Sequence, residues 1–135
     1  MPAPVLVDSN VYIALLRRGL DPARVLGEWA GDRDLATCGM IRLEVLRGIR
    51  TPRVQERVSA FLEVLINIPT TESLWNEAST LAWHLDRAGL RIPSTDILIA
   101  AAARAAGAIV LTDDRHFDHV PGIVRVASDA LYPDH

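Results

Sequence analysis

Four carboxylates stand where a folding chain has reason not to place them: Asp8, Glu44, Asp96 and Asp114. Asp8 follows the apolar run Val5 to Val7, and Asp113 and Asp114 follow the run Ala108 to Thr112. In a parallel sheet the carboxyl ends of strands open into the binding crevice, so both runs deliver acids to one edge. On a helix Asp96 shares a face with Ile99, Ala100 and Ala103, where a carboxylate is unfavourable unless it is paired or coordinated. Glu44 lies three residues after Ile41 and four before Gly48, and the missing side chain at Gly48 leaves room for a neighbouring backbone or a ligand. Each acid alone has an ordinary explanation. Asp8 and Asp96 suit the positive end of a helix, and Glu44 can pair with Arg47 or Arg50 along its own. Gathered in one crevice, the acids raise one another's pKa by repulsion until a cation compensates. All-oxygen ligation suits Mg²⁺ or Mn²⁺, and such a centre fits phosphodiester hydrolysis: the ion activates water and neutralises phosphate charge while a free carboxylate orients the water.

Other chemistries are poorly served. His84, His116, His119 and His135 lack the spacing of a zinc site and read as surface histidines. The one cysteine, Cys38, sits in an apolar context that suits a small buried thiol. All 14 basic residues are arginine, which removes every class that needs a lysine in its site, including receiver domains. A haloacid-dehalogenase-like phosphatase needs an acid two residues after its nucleophilic Asp, and that position is Asn10. A catalytically silent binding module is the remaining alternative.

The elements that must position these acids alternate. Strands are expected at Val5 to Val7, Leu35 to Cys38, Leu65 to Ile68, Ala108 to Thr112 and Ile123 to Val126. Between them, Ser9 caps a helix through about Arg17, and Asp21-Pro22 opens a second that runs to Gly31. A third carries Ile41, Val45 and Ile49, and Thr51-Pro52 opens a fourth to about Leu62. A long amphipathic helix follows from Thr71 to about Ala88, with Leu74, Ala78, Leu81, Ala82 and Leu85 on its apolar side. The last runs from Pro93-Ser94 to Ala106. Strands spaced by helices imply βαβ crossovers, hence a mainly parallel sheet covered on both faces, an α/β/α sandwich.

At 135 residues and 50% hydrophobic, the chain suits one domain spanning residues 1–135. No apolar run reaches the roughly 18 to 20 residues of a membrane span, and no signal-peptide pattern precedes the first strand, so a cytoplasmic protein is expected. The net charge of −3 means that any nucleic-acid contact must be local. Arg42, Arg47, Arg50, Arg53 and Arg57 are available to RNA phosphates or to an acidic partner segment, though solvated helix faces with pairs such as Arg53 and Glu56 are the favoured explanation.

Four segments together resemble the PIN-domain family, and in particular the VapC-type toxins of bacterial VapBC toxin–antitoxin pairs. They are Val5 to Ile13 with Asp8 and Asn10, Arg42 to Gly48 with Glu44, Pro93 to Ala101 with Asp96, and Leu111 to Phe117 with its T-x-D-x-x-F pattern. The resemblance runs from Val5 to about Val126, with Arg42 a departure where the family often has a small polar residue. It implies a PIN-like α/β/α sandwich and an Mg²⁺- or Mn²⁺-dependent endoribonuclease acting on tRNA, rRNA or mRNA. It also implies a homodimer and inhibition by a cognate VapB-like antitoxin. Carried over by position, Asp8, Glu44, Asp96 and Asp114 are the catalytic and metal-binding acids. Asn10, Thr112 and Asp113 are the supporting polar residues, and Asp113 and Asp114 compete for the fourth acidic place.

Overall fold

The computed structural model describes residues 2–132. Its centre is a five-stranded sheet of β1 (Val5–Val7), β2 (Leu35–Cys38), β3 (Ile66–Ile68), β4 (Ile109–Leu111) and β5 (Arg125–Val126). The spatial order is β3-β2-β1-β4-β5, and every pairing is parallel. Every residue of β1 and β2 is buried, as strands with both faces covered require. The covering helices are α1 (Ser9–Arg17), α2 (Pro22–Ala30), α3 (Gly39–Arg47), α4 (Pro52–Glu63), α5 (Glu72–Arg87) and α6 (Ser94–Ala106).

Chain order decides where the crevice lies. The connection leaving β1 travels outward to β2, whereas β4 hands on to β5 on the opposite side. With right-handed crossovers, the chain leaving these two adjacent strands diverges, and the gap at their carboxyl ends is the topological switch point where parallel sheets bind ligands. Asp8 and Thr112 each stand one residue beyond their strand.

The helices form where the sequence predicts, with local differences. Asp8, not Ser9, caps α1: its carboxylate accepts from Ser9 N at 2.8 Å, and Ser9 is the first helical residue. The third helix ends at Arg47, so Ile49 lies beyond it. The third, fourth and fifth strands are shorter than their expected runs: pairing begins at Ile66 in β3, is confined to Ile109–Leu111 in β4 and begins at Arg125 in β5. Ala82 is half-buried, while Leu74, Ala78, Leu81 and Leu85 are buried in the face of α5 that packs on α6. Two 3₁₀ turns lie outside the predicted elements: η1 (Arg115–His119), directly after the last acid, and η2 (Ser128–Leu131). None of the described helices is long and apolar enough to cross a membrane.

Candidate active site

Asp8 anchors the site. It is 3% exposed, and burial pushes its carboxyl above the usual range against the hydrogen bonds from Thr112 and Ser9, with Glu44 and Asp114 adding repulsion. Thr112, itself fully buried, uses its whole hydroxyl capacity. The O–H donates to Asp8 Oδ2 at 2.8 Å, and the oxygen accepts from Asn10 Nδ2 at 2.9 Å and from Asp114 N at 3.0 Å. Asn10 also donates to Asp8 Oδ2 at 3.2 Å. One threonine thus ties the end of β4 to the end of β1 and fixes the start of the loop that carries Asp114.

Replacing Thr112 by Val keeps the shape and removes all three bonds. Asp8 loses its shortest side-chain donor and Asp114 N loses its acceptor, so a stability loss of roughly 1–3 kcal/mol is expected for groups left unsatisfied in a buried setting. Denaturant unfolding of Thr112→Val measures it, and a midpoint equal to the wild type would mean that the network contributes nothing.

The remaining acids arrive from three elements. Glu44, half-buried on α3, accepts from Ser9 Oγ at 3.2 Å, and among the described residues no ion pair joins it to Arg47 or Arg50. Gly48 does not make room beside it: a side chain there would meet only carbonyls of its own helix, and the position lines a groove instead. Asp96, in the first turn of α6, has its carboxyl pushed up to about 7, first by burial and then by its hydrogen bond with Asp114. Burial is the strongest single influence on Asp114 and raises it, but the same bond with Asp96, donation from His116 N and the charge of His116 together hold it below its ordinary value.

Asp113 and Asp114 point different ways. Asp114 caps η1 and faces Asp96 and His116. Asp113 accepts from Ser128 N at 2.8 Å and Ser128 Oγ at 2.6 Å, and so fastens the C-terminal segment. Its link to the cluster is the long contact from its backbone N to Asn10 Oδ1 at 3.5 Å. Arg125 braces the same loop from β5, gripping Asp118 through Nε at 2.8 Å and Nη2 at 3.3 Å and donating to the Thr112 carbonyl at 3.1 Å.

His116 departs from the expectation of a bystander surface histidine. Its side chain is 47% exposed, yet Nδ1 lies 3.0 Å from Asp114 Oδ1 and 3.2 Å from Asp96 Oδ2. The bond with Asp96, followed by the charge of Asp114, raises the imidazole above its ordinary value. His84 borders a groove between α5 and α6 away from the acids, His119 ends η1, and His135 lies outside the described residues. Cys38 is buried, as expected, and burial pushes its thiol up.

The donor set fits a hard divalent cation. Asp8 repels Glu44 and Asp114, and Asp96 repels Asp114 and Asp8, while the counter-charge paired with these acids among the described residues is His116 alone. Like charges packed this way are what a bound dication relieves.

A buried parallel switch point lined with these acids belongs to a recognised class, because residues 5–123 match the PIN domain family. The chain belongs to the PIN-domain family, on its VapC-type branch. It is 30% identical over 121 residues to ribonuclease VapC4 of Mycobacterium tuberculosis, covering 87% of this chain and 92% of that one. Among solved structures it is similar to VapBC2 of Rickettsia felis bound to a promoter DNA fragment, with a TM-score of 0.77, 20% identity, and coverage of 92% of this chain and 98% of that one. It is also similar to VapBC-5 of M. tuberculosis, with a TM-score of 0.62, 27% identity, and coverage of 93% and 100%. The parallel α/β/α fold expected from sequence is the fold of these proteins.

Proposed function

We propose that the chain is a cytoplasmic, single-domain, Mg²⁺- or Mn²⁺-dependent endoribonuclease, the toxin of a VapBC-like pair, held inactive by a VapB-like antitoxin. The observation that carries this is the convergence of Asp8, Glu44, Asp96 and Asp114 at the switch point between β1 and β4: Thr112 Oγ1 bonds both Asp8 and Asp114 N, Ser9 Oγ bonds Glu44 beside Asp8, and Asp96 and Asp114 meet at His116 Nδ1. Asp8, Asp96, Asp114 and Glu44 would hold the cation, which when bound supplies a more acidic water and charge neutralisation on a phosphate. The protein's share is placement. Asp8 is locked by Thr112, Asn10 and Ser9 N, whereas Glu44 accepts from the Ser9 hydroxyl alone among the described residues. Glu44 is therefore the carboxylate best able to swing and orient the attacking water, and Asn10 and Thr112 act as positioning residues. Asp113 stands outside the acidic set in this reading.

The antitoxin reading has its own support. A groove of about 530 Å³ runs between α1, the turn before α2, and the segment from the end of α3 into α4. Leu16, Val45 and Val58 line its apolar part, and Arg17, Arg50 and Arg57 add three positive charges. Such a groove suits an acidic amphipathic segment. Two of these arginines belong to the run singled out in the sequence, while among the described residues no ion pair joins Arg53 to Glu56.

The test is digestion of a total RNA pool with Mg²⁺, with Mn²⁺ and with chelator, followed by mapping of the new ends. Metal-dependent ends bearing 3′-hydroxyl and 5′-phosphate at defined sites are expected, from a homodimer. Adding a VapB-like antitoxin should arrest cleavage, and Arg50→Glu with Arg57→Glu should relieve the arrest without slowing cleavage. Folded protein that leaves every RNA intact under all three conditions would overturn the assignment.

A further inference from the structure

We infer that His116 is a nitrogen ligand of the cation held by Asp96 and Asp114, and that it moves the preference of the centre from Mg²⁺ toward Mn²⁺. The inference rests on the metal-dependent function proposed above and deepens it. An exposed histidine ordinarily turns its ring to water, but this one turns Nδ1 into the cluster. That atom stands 3.0 Å from Asp114 Oδ1 and 3.2 Å from Asp96 Oδ2, and the three ligand atoms lie within 4.8 Å of one another. Adjacent donors around an octahedral ion with bonds of about 2.1 Å lie about 3 Å apart, so the spacing is that of ligands as well as of hydrogen bonds.

The ring is also held in place from below. His116 N donates to Asp114 Oδ1 at 2.9 Å, which closes the first turn of η1. The next residue, Phe117, is 1% exposed and roots the turn in the core. One residue further, Asp118 is gripped by Arg125. The imidazole is thereby presented to the acids by the backbone rather than by burial.

Ligand chemistry gives the direction of the preference. Mg²⁺ dehydrates reluctantly and takes oxygen donors, whereas imidazole suits transition-metal dications. A nitrogen beside two carboxylates adds affinity for Mn²⁺ and little for Mg²⁺.

Metal binding without RNA tests this. Free Mn²⁺ is followed by its electron paramagnetic resonance signal, with Mg²⁺ in competition, on the wild type, His116→Ala, His116→Asp and Asp96→Asn. The wild type should hold Mn²⁺ roughly tenfold or more tighter than Mg²⁺, and His116→Ala should loosen Mn²⁺ by about tenfold while leaving Mg²⁺ within about twofold. His116→Asp, which restores an oxygen donor, should swing the preference toward Mg²⁺. Equal loosening of both ions by His116→Ala, tightening of both, or no change would each sink the inference and leave the proposed function standing, provided that Asp96→Asn abolishes binding. Unchanged Mn²⁺ binding in Asp96→Asn would instead remove the metal centre itself, and the proposed function with it.

Discussion

Asp96→Asn should silence RNA cleavage and leave the metal-free protein at least as stable as the wild type. Asp96 is a cation ligand in the proposed mechanism, and an amide carries no charge to bind the ion or to balance it near a phosphate. A loss on the order of a thousandfold is expected, equivalent to about 4 kcal/mol of barrier. Stability should move the other way because this carboxylate is burdened by burial and by Asp114, as its rise to about 7 records. The amide removes the repulsion and can still accept from His116. Cleavage assays and thermal unfolding without metal report the two halves separately. Cleavage within about tenfold of the wild type would remove Asp96 from the catalytic set. A lost activity accompanied by a lowered melting temperature would mean that Asp96 serves the fold rather than the chemistry.

Strand ends were legible because a buried strand followed by an acid is a local pattern: Val5-Leu6-Val7-Asp8 needs no knowledge of the rest of the chain. Alternation and the handedness of crossovers predict a parallel sheet but not its strand order, so the pairing of β1 with β4, which brings Asp8 to Thr112 across 104 positions, was not legible. What stayed hidden depends on distant partners or on orientation. Asp113 and Asp114 are equivalent by composition, and only Ser128, 15 residues on, draws one of them out of the cluster. His116 has the surroundings of any surface histidine, and its role emerges only when η1 aims the ring. The signal that could have found it is its place two residues after the acid, where a tight turn returns a side chain toward the residue that caps it. Asp8 and Ser9 are both good caps, so propensity alone could not choose between them. Gly48 was linked to Glu44 by spacing, but its free side faces the arginine-rimmed groove.

Removing divalent cation should make stability fall as pH rises from about 5.5 to about 8, and restoring the cation should reverse the trend. Asp96 sits near 7 in the fold, against 3.8 as its ordinary value. The folded protein therefore holds a proton that the unfolded chain releases, and stability is lost as pH climbs toward 7. Asp8, raised mainly by burial, acts in the same sense from 3.8 upward. His116, raised mainly by Asp96, contributes stability that is complete below 6.5 and lost as pH passes its higher folded value. Asp114 is lowered, so its contribution disappears only as pH falls below 3.8 toward its folded value, outside this range. Asp96 and His116 thus slope one way through neutrality, with Asp8 acting in the same sense. A cation displaces the same protons, so it binds weakly at pH 5.5 and strongly at pH 8. At a hundredfold excess over Kd it adds about 2.7 kcal/mol, roughly 10 °C for a domain of this size. Melting curves at the two pH values, with chelator and with Mn²⁺, provide the measurement. A metal-free melting temperature that rises with pH, or a Mn²⁺ shift equal at both values, would show that these carboxylates are not the groups the cation neutralises.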